Sequence, residues 1–453
     1  MRTPLSSPEK PNTDIRRVAI LFSGGPAPAA NAVIASAADC FSRAGIEVLG
    51  FVNGYTHLME YEPKAGLKEG TAYVLLDHKR LEGKRTESGI LIGTARANPG
   101  KGLKRPEDLD DFKATAPLRT VYEALRSVGV DALISIGGDD TLTTAAKFNL
   151  FQDRLPADQK RIRVVHLPKT IDNDYRGIDF TFGYFTAVDL LARQIRNLLA
   201  DAEATNAWYV AQVMGRKAGW LSYGAAIGGE ASLVIGLEDV ADAWWSEEPT
   251  VNPKTGERVL GGDGKPLMRK VINLEALVDR VVQTVLARID EGKSYGVIVV
   301  AEGIGEFLPL EEIHKCVSED EYLKLEPDSF GHFPVSQLKF SGRIGRWVAE
   351  KVKRRIDRKL KISGLQFGYE VRAERPTAFD VILGSQLGVG AYRALAEEGK
   401  NGVMISVEDQ LEIVYRPFEE LIDYDKLRAY ARPIRPDEAF HQLARYLEVR
   451  VDD

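Results

Sequence analysis

The sequence predicts an α/β protein with a mainly parallel sheet and helices on both faces of that sheet. Short apolar runs typical of buried strands alternate with longer segments whose apolar residues recur at helical spacing. The order strand, loop, helix, strand repeats along the first half of the chain. The 453 residues are enough for two or three domains. Hydrophobic residues make up 44% and charged residues 28%, the balance of an ordinary globular protein.

The first half of the chain carries the clearest alternation. Its predicted strands are residues 17–22, 46–51, 132–136, 163–167 and 208–213. Its predicted helices are residues 29–44, 118–127, 141–148, 185–202 and 220–228. Strands separated by helices in this way pair in parallel through right-handed crossovers, which gives the predicted sheet.

Two segments of the second half interrupt the alternation. Residues 244–269 are rich in Pro, Gly and charge, and we interpret them as an insertion that can form a hairpin. Residues 306–335 are acidic and irregular, and predict a second insertion. The regular elements predicted around them are a helix at 274–289, a strand at 295–301, a basic helix at 340–360 and a helix at 378–397.

Composition and charge exclude several classes of protein. The net charge of -6 argues against a nucleic-acid binder. Cys40 and Cys316 are far apart and have no metal-ligand spacing, so we expect neither a disulfide framework nor a zinc site. No apolar run is long enough to cross a membrane, and the polar start of the chain predicts a flexible tail over residues 1–16. A cytoplasmic protein is therefore expected.

His166 lies inside an apolar strand and is predicted to be a core residue.

Residues 168–174, Pro-Lys-Thr-Ile-Asp-Asn-Asp, are the most informative segment of the chain. They follow the apolar run 162–167, so two carboxylates, a lysine and a hydroxyl stand at the end of a predicted strand. Ligands of open α/β sheets bind at such strand ends. Aspartates two residues apart, here Asp172 and Asp174, can divide the work, since one can bind Mg²⁺ while the other accepts a proton.

A second acidic turn, Gly-Gly-Asp-Asp-Thr at residues 137–141, follows the apolar run 132–136. An aspartate between a strand and a helix faces the positive end of the helix dipole, which favours its ionised form as a metal ligand. The alternative is that Asp140 or Thr141 only caps the helix, although a cap needs one such residue and three stand in a row. Two acidic turns in one chain suggest a phosphoryl-transfer site.

Four further segments are compatible with phosphate binding, but each has a local explanation that is at least as good when the segment is taken alone. Gly24-Gly25 can let a phosphate approach the backbone, or can serve only the turn. Arg96, Arg216 and Arg372 can each clamp phosphate oxygens, or can be ordinary exposed arginines.

Taken together, these motifs resemble the phosphofructokinase family over residues 17–393, and they occur in the family's order. The matching segments are Gly24-Gly25, Gly93 to Arg96, Gly137 to Asp139, Thr170 to Asp174, Met214 to Arg216, Glu302 and Arg372. The resemblance implies two Rossmann-like three-layer αβα domains with mainly parallel sheets, the phosphofructokinase fold, plus insertions. It also implies a donor domain of residues 17–183 and 371–421 and a sugar-phosphate domain of residues 184–370 and 422–453.

The resemblance assigns a role to each matching residue. The catalytic residues it implies are Asp172 as the base, with Lys169 and Thr170. The donor-binding residues it implies are Gly25, Arg96, Asp140 and Lys169. The sugar-phosphate residues it implies are Thr170, Met214, Gly215, Arg216, Glu302, Tyr369 and Arg372. The cofactor it implies is Mg²⁺, held by Asp139 and Asp174. Fructose 6-phosphate is the implied acceptor, and a homodimer or homotetramer is the implied assembly.

Two positions indicate the phosphoryl donor within the family. ATP users typically carry glycine at the positions of Asp140 and Lys169, whereas pyrophosphate users carry this aspartate and this lysine. A carboxylate at position 140 would repel the inner phosphate of a nucleotide. The Lys169 ammonium provides a point charge for a compact diphosphate. The resemblance therefore implies a pyrophosphate-dependent enzyme.

Several alternatives stay open at this point. One is an ATP-dependent member of the family, and another is a regulatory subunit without activity, although the base and metal ligands are all present. A lipid or dinucleotide kinase with a similar acidic turn would lack the loop 170–174. Sedoheptulose 7-phosphate could also be an acceptor. Several positions depart from the family pattern. Ala29 replaces a glycine of the first loop, Ala207 and Ser363 lie at or near positions where short-chain ATP-dependent members have an arginine, and Tyr369 replaces their histidine, as in pyrophosphate-type members.

Overall fold

Alternating strands and helices run through the computed structural model, which describes residues 6–252, 255–325 and 334–451. The strands in chain order are β1 Arg17–Ser23, β2 Glu47–Phe51, β3 Tyr73–Leu75, β4 Ala132–Gly137, β5 Arg163–Pro168, β6 Ala207–Val213, β7 Leu233–Ile235, β8 Trp245–Pro249, β9 Met268–Ile272, β10 Gly296–Ala301, β11 Lys361–Phe367, β12 Val403–Glu408, β13 Glu412–Pro417, β14 Ile422–Asp423 and β15 Arg428–Ala429. The helices are α1 Ala30–Arg43, α2 Thr56–Met59, α3 His78–Leu81, α4 Ala116–Ser127, α5 Asp139–Asp153, α6 Tyr184–Thr205, α7 Trp220–Gly229, α8 Leu274–Asp290, α9 Leu310–Cys316, α10 Glu319–Tyr322, α11 Phe340–Ile356, α12 Ala378–Tyr392, α13 Phe418–Leu421 and α14 Ala439–Leu447.

The chain divides into two compact units, and each is built from separate stretches of sequence. Among the described residues, unit 1 comprises 6–171, 175–186 and 372–431. Unit 2 comprises 172–174, 187–371 and 432–451.

Unit 1 contains a seven-stranded sheet in the order β13-β12-β5-β4-β1-β2-β3. Its five inner strands are parallel, while β3 and β13 pair antiparallel at the two edges. The inner strands are buried along nearly their whole length, which explains their continuous apolar sequences.

The alanine-rich segment predicted as a helix is α1, and it packs closely against α12. Two glycines of α12 allow this approach. A β-carbon at Gly388 would lie 2.6 Å from the carbonyl oxygen of Val33, and one at Gly384 would lie 3.2 Å from the methyl group of Ala32. Small side chains on both helices therefore bring the two backbones together.

Unit 2 contains a four-stranded parallel sheet in the order β11-β6-β10-β7. Its core joins strand residues such as Val210 and Ile298 to apolar side chains of α8 and α11, among them Val278, Val282 and Val348. The predicted α/β class with mainly parallel sheets is confirmed in both units.

The insertions differ in how well the sequence predicted them. The first contains an antiparallel hairpin of β8 and β9, as expected, and its residues 253–254 lie outside the described residues. The second was expected to be irregular, and this is wrong over α9 and α10, which are helical. Residues 326–333 of the second insertion also lie outside the described residues.

Two predicted boundaries also differ from the structure. The expected tail ends earlier than residue 16, since Ile15 is 1% exposed and the Arg16 amide donates to Asp131 Oδ2 at 2.7 Å. Residues 422–431 belong to unit 1 rather than to the sugar-phosphate domain. Their hairpin of β14 and β15 lies against α5, where the Ala429 amide donates to Thr143 Oγ1 at 3.2 Å.

Within the described ranges of the chain, no helix combines the length and the apolar character that a membrane span requires.

Candidate active site

The predicted site residues of unit 1 follow three neighbouring parallel strands. Gly24 follows β1, Asp139 follows β4 and Lys169 follows β5, and these strands are adjacent in the order β5-β4-β1. The carboxyl ends of adjacent parallel strands meet at one edge of the sheet. The fold of unit 1 therefore brings predicted donor-binding motifs from positions 24, 139 and 169 to one edge of the sheet.

The first glycine loop and the Arg96 loop are joined by backbone hydrogen bonds. The Gly24 amide donates to the carbonyl oxygen of Ala95 at 2.9 Å, and Thr94 Oγ1 donates to the carbonyl oxygen of Gly24 at 2.7 Å. Gly24 has a φ of +92°, which favours glycine. Arg96 is therefore next in the chain to Ala95, which contacts the first loop directly.

Two cationic side chains flank the consecutive glycines of this loop. A β-carbon at Gly24 would lie 3.4 Å from Lys169 Nζ, and one at Gly25 would lie 3.8 Å from Arg372 Cζ. Lys169 is only 7% exposed, and its ammonium lies 6.0 Å from the centre of the Phe22 ring. The positive charges and the absence of side chains at both glycines suit a phosphate group that approaches the backbone.

The acidic turn forms the start of α5 and does not cap it. Helix α5 begins at Asp139, two residues earlier than predicted, and its N-cap is Gly138, which has no side chain to bind the helix amides. Asp139 Oδ1 accepts a hydrogen bond from the Asp140 amide at 2.9 Å. Both carboxylates thus belong to the first helical turn, where the dipole favours negative charge.

A buried lysine on α5 holds the segment that follows Arg96. Lys147 Nζ donates to the carbonyl oxygens of Gly100 at 3.1 Å and Leu103 at 2.6 Å. One turn earlier on the helix, Thr144 Oγ1 donates to Asn98 Oδ1 at 2.7 Å. Burial lowers the pKa of Lys147 to about 8. The helix that carries Asp139 is therefore tied directly to the loop that carries Arg96.

His166 is a core residue, as predicted. It is 0% exposed, and its Nε2 lies 3.0 Å from the hydroxyl of Tyr175, which donates to the carbonyl oxygen of Gly137 at 2.9 Å. Burial lowers the pKa of His166 to about 3, so the imidazole is neutral at physiological pH. This pair supports the carbonyl that immediately precedes the acidic turn.

In unit 2, residues 172–174 form a loop in which Asn173 has a φ of +51°. Asparagine adopts this left-handed region more readily than most residues. Asn173 is 0% exposed, and its carbonyl oxygen accepts a hydrogen bond from Arg432 Nη2 at 2.9 Å. The Arg432 amide donates to the carbonyl oxygen of Asp174 at 2.8 Å. The backbone between the two predicted functional aspartates is therefore held by one distant residue.

The remaining site residues of unit 2 follow three neighbouring parallel strands. Met214 to Arg216 follow β6, Glu302 follows β10 and Tyr369 lies just beyond β11, in the strand order β11-β6-β10. The turns are close-packed, since the Gly303 amide donates to the carbonyl oxygen of Gly215 at 3.0 Å. A β-carbon at Gly303 would overlap the carbonyl oxygen of Arg216. Glycine is therefore required directly after Glu302.

The side chains at these turns differ in exposure. Arg216 Nε lies 3.0 Å from Glu306 Oε1, so the start of the second predicted insertion contributes to the site. Glu302 is 5% exposed, whereas Tyr369 is 64% exposed. Met214 is 7% exposed, and its amide donates to the carbonyl oxygen of Phe367 at 3.1 Å.

The carboxylates predicted to bind Mg²⁺ have suitable chemistry, because Mg²⁺ prefers oxygen ligands. In the part of the chain that the structure describes, no three or more His, Cys, Asp or Glu side chains gather into a metal cluster. Mg²⁺ is commonly held by one or two carboxylates together with substrate phosphates, so such a cluster is not needed.

Sequence reasoning missed Asn98, Lys147, Glu306 and Arg432. Each acts on a backbone carbonyl or on another side chain that is distant in sequence, and such contacts leave no local pattern. Only Asn98 carries a signal, since Asn-Pro-Gly at 98–100 marks a turn directly after Arg96.

Comparison with known proteins identifies the family. The family model described as phosphofructokinase matches residues 17–244, just over half of the chain. This chain belongs to the phosphofructokinase family. One relative, a pyrophosphate–fructose 6-phosphate 1-phosphotransferase of Naegleria fowleri, is 30% identical over 460 residues, covering 99% of this chain and 92% of the relative. A protein of the same name from Thermotoga maritima is 28% identical, covering 96% and 91%.

Phosphofructokinases named for the other donor are similarly close. An ATP-dependent 6-phosphofructokinase of Corynebacterium efficiens is 30% identical, covering 90% of this chain and 93% of the relative. Overall sequence identity therefore does not distinguish a pyrophosphate-dependent enzyme from an ATP-dependent one. The distinction depends on the residues of the site.

Solved phosphofructokinase structures share the fold. A pyrophosphate-dependent phosphofructokinase of Marinobacter aquaeolei has a TM-score of 0.60 at 16% identity and covers 97% of this chain and 93% of its own. The Pichia pastoris phosphofructokinase in the T-state also has a TM-score of 0.60, at 21% identity. The match covers 92% of this chain but only 36% of the Pichia chain.

The departure of the first loop from the phosphofructokinase pattern has a structural counterpart. Ala29, which stands in place of glycine, has a φ of +65° and is 1% exposed. This left-handed region is favourable for glycine and strained for alanine. The backbone at position 29 thus has the conformation that glycine favours, although the residue in this chain is alanine.

Proposed function

We propose that this phosphofructokinase transfers a phosphoryl group from pyrophosphate to the 1-hydroxyl of fructose 6-phosphate. The products are fructose 1,6-bisphosphate and phosphate, and the reaction is reversible, as suits a role in glycolysis or gluconeogenesis. The observation that carries the choice of donor is the pair Asp140 and Lys169. Asp140 lies in the first turn of α5, and the Lys169 ammonium lies over Gly24 of the first loop.

The physical chemistry of these two residues favours a compact donor. Burial strengthens the field of the Lys169 ammonium, and a diphosphate concentrates its charge close to one such point. The extra carboxylate of Asp140 opposes a further phosphate and a ribose at the same place. The names of the Naegleria and Thermotoga relatives agree with this choice.

In the proposed reaction, Asp172 accepts the proton of the 1-hydroxyl as that oxygen attacks the terminal phosphorus in line. Lys169 and Arg96 stabilise the charge on the transferring group, and Thr170 donates a hydrogen bond to it. The Gly24–Gly25 backbone accommodates the donor phosphates. Positioning and electrostatic stabilisation account for most of the catalysis in phosphoryl transfer.

Asp139 and Asp174 are the proposed ligands of Mg²⁺. When bound, Mg²⁺ neutralises charge on the donor phosphates.

For the sugar phosphate, we propose contacts from the turns of unit 2. Arg216 and Tyr369 bind the 6-phosphate, Glu302 accepts a hydrogen bond from a sugar hydroxyl, and Met214 with Gly215 shapes the pocket. Arg372 has the same proposed role, and its place beside Gly25 supports a second one, the stabilisation of charge on the transferring group.

An ATP-dependent reaction is the second candidate, because relatives named for ATP are as similar as those named for pyrophosphate. We further propose a homodimer or homotetramer. The rings of Phe180, Phe185 and Phe379 lie 4.8–6.5 Å apart, and the exposed side chains of Phe180 and Phe379 support self-association. The free thiols of Cys40 and Cys316 agree with a reducing, cytoplasmic compartment.

The test is the formation of fructose 1,6-bisphosphate from fructose 6-phosphate and Mg²⁺ with either pyrophosphate or ATP. The proposal predicts turnover with pyrophosphate. Turnover with ATP alone would establish the second candidate, and inactivity with both donors would favour a regulatory subunit or another acceptor.

A further inference from the structure

The loop that contains the proposed base has an unusual backbone. Asn173 stands between Asp172 and Asp174 in a left-handed conformation and is completely buried. Such a conformation is kept only when neighbouring groups determine it, and buried carbonyl oxygens need hydrogen-bond donors. The position of the Asp172 carboxylate therefore depends on whatever binds this stretch of backbone.

Arg432 supplies two of these donors. Its Nη2 donates to the carbonyl oxygen of Asn173 at 2.9 Å, and its amide donates to the carbonyl oxygen of Asp174 at 2.8 Å. A side-chain donor and a main-chain donor of one residue thus bind two consecutive carbonyls. This fixes both the distance and the orientation of the segment relative to Arg432.

Arg432 is itself held by the start of α7. Its carbonyl oxygen accepts a hydrogen bond from Trp220 Nε1 at 2.9 Å, and its guanidinium carbon lies 4.9 Å from the centre of the Trp220 ring. Trp220 stacks on Phe440 with ring centres 5.1 Å apart. Two residues further along, the Ile434 amide donates to Glu238 Oε1 at 3.1 Å.

We propose that Arg432 is a positioning residue for catalysis, acting through the backbone of residues 173–174 to hold Asp172 in place as the base. This inference rests on the proposed function for the role of Asp172, but it does not depend on which phosphoryl donor is used. Arg432 has no proposed contact with substrate, so its loss affects turnover rather than binding.

The experiment compares Arg432→Met with a matched control, Arg445→Met. Arg445 also belongs to the C-terminal segment of unit 2 and also lies over an aromatic ring of α7, 5.4 Å from the centre of Tyr223. It donates to a backbone carbonyl as well, that of Val234, at 2.8 Å. None of its described contacts is with residues 172–174. The change in activity of Arg445→Met therefore measures the effect of losing an arginine from this segment without loss of a contact to the loop.

Two readouts are needed, and kinetics with the donor that the wild-type enzyme uses is the first. We expect Arg432→Met to lower kcat by about 10- to 100-fold, because a small displacement of a catalytic group has effects of this size. We expect both KM values to change by less than about 3-fold, because uniform substrate binding is kept. Both variants keep the main-chain donor, and Arg432→Lys, which also keeps a charged side-chain donor, should recover part of kcat.

Hydrogen–deuterium exchange of the peptide covering residues 169–176 is the second readout, and it requires no activity. We expect faster exchange in Arg432→Met than in the wild type, and wild-type exchange in Arg445→Met. An unchanged kcat, or an equal loss of kcat in the control, would overturn the inference, and so would unchanged exchange in Arg432→Met. If the wild type is inactive with both donors, the proposed function fails, while the exchange experiment still decides whether Arg432 holds the loop.

Discussion

Asp172 is the residue on which the proposed chemistry depends most directly. Its carboxylate is the candidate base, and the backbone that follows it is held by hydrogen bonds from Arg432 to the carbonyl oxygens of Asn173 and Asp174. The replacement Asp172→Asn keeps the shape of the side chain but removes its ability to accept a proton.

We expect Asp172→Asn to lower kcat by at least about 10²-fold with little change in either KM, because general bases contribute about 10²–10⁴-fold. Steady-state kinetics with pyrophosphate and fructose 6-phosphate measures this. Turnover near that of the wild type would remove Asp172 from the role of base.

His166 provides a residue-scale test that is independent of substrate. Its pKa is about 3 in the folded protein because it is fully buried, against an ordinary value near 6.5. Between these two values the unfolded chain binds a proton that the folded protein does not. The free energy of unfolding therefore falls as the pH drops from about 6.5 towards 3.

We expect His166→Gln to reduce this loss of stability in acid, by an amount on the order of 3–5 kcal/mol over the whole range. Urea unfolding of both proteins at about pH 7 and about pH 5 checks it. The two proteins should differ in pH dependence, and parallel curves would mean that His166 titrates normally in the fold.

At the scale of elements, α5 determines the geometry of the donor motifs in unit 1. Its first turn carries Asp139 and Asp140, and its third turn carries Lys147, which binds two carbonyls of the segment after Arg96. The helix thus links the acidic turn to the arginine loop through one rigid element.

We expect Lys147→Met to raise KM for pyrophosphate by about 10-fold, since a charge-assisted hydrogen bond contributes about 1.5–3 kcal/mol. KM for fructose 6-phosphate should stay near its wild-type value. The control is Arg161→Met, which also removes a cation bound to backbone carbonyls of unit 1, those of Pro156 and Gln159. Equal effects of both variants on KM for pyrophosphate would show that Lys147 acts only on stability.

Most strands and helices could be predicted from the sequence, because apolar periodicity is a local signal. Strands β1, β2, β4, β5, β6 and β10 and the long helices lie within a few residues of their predicted positions. Strands β3, β7, β11, β12 and β13 of the two sheets were not predicted. The contacts that orient the site could not be predicted in this way. Arg432 binds carbonyls about 260 positions earlier, and a carbonyl carries no side-chain identity that a sequence pattern can show.

The start of α5 shows the same limit on a smaller scale. The run Asp139, Asp140, Thr141 fits a helix cap as well as a first helical turn. Gly138 takes the cap position because its extended backbone continues from β4 into the helix. The backbone setting of the predicted site residues was therefore not predictable from the sequence, and their roles stay predictions.

At the scale of the whole molecule, each unit is assembled from separate stretches of chain. Unit 1 is completed by residues 372–431, and unit 2 by residues 432–451. The family resemblance implied a donor domain that ends at residue 421, whereas the last stretch of unit 1 ends at residue 431. Contact between the hairpin of β14 and β15 and α5 moves the boundary to residue 431.

We propose that the phosphoryl donor of the whole molecule is pyrophosphate and that Asp140 contributes to the preference for it. The most direct measurement is the ratio of kcat/KM for pyrophosphate to kcat/KM for ATP, in the wild type and in Asp140→Gly. We expect a wild-type ratio far above 1 and a ratio lowered by at least about 10-fold in the variant, since one well-placed repulsive group is worth about 1.4 kcal/mol or more. A wild-type ratio below 1 would show that pyrophosphate is not the preferred donor.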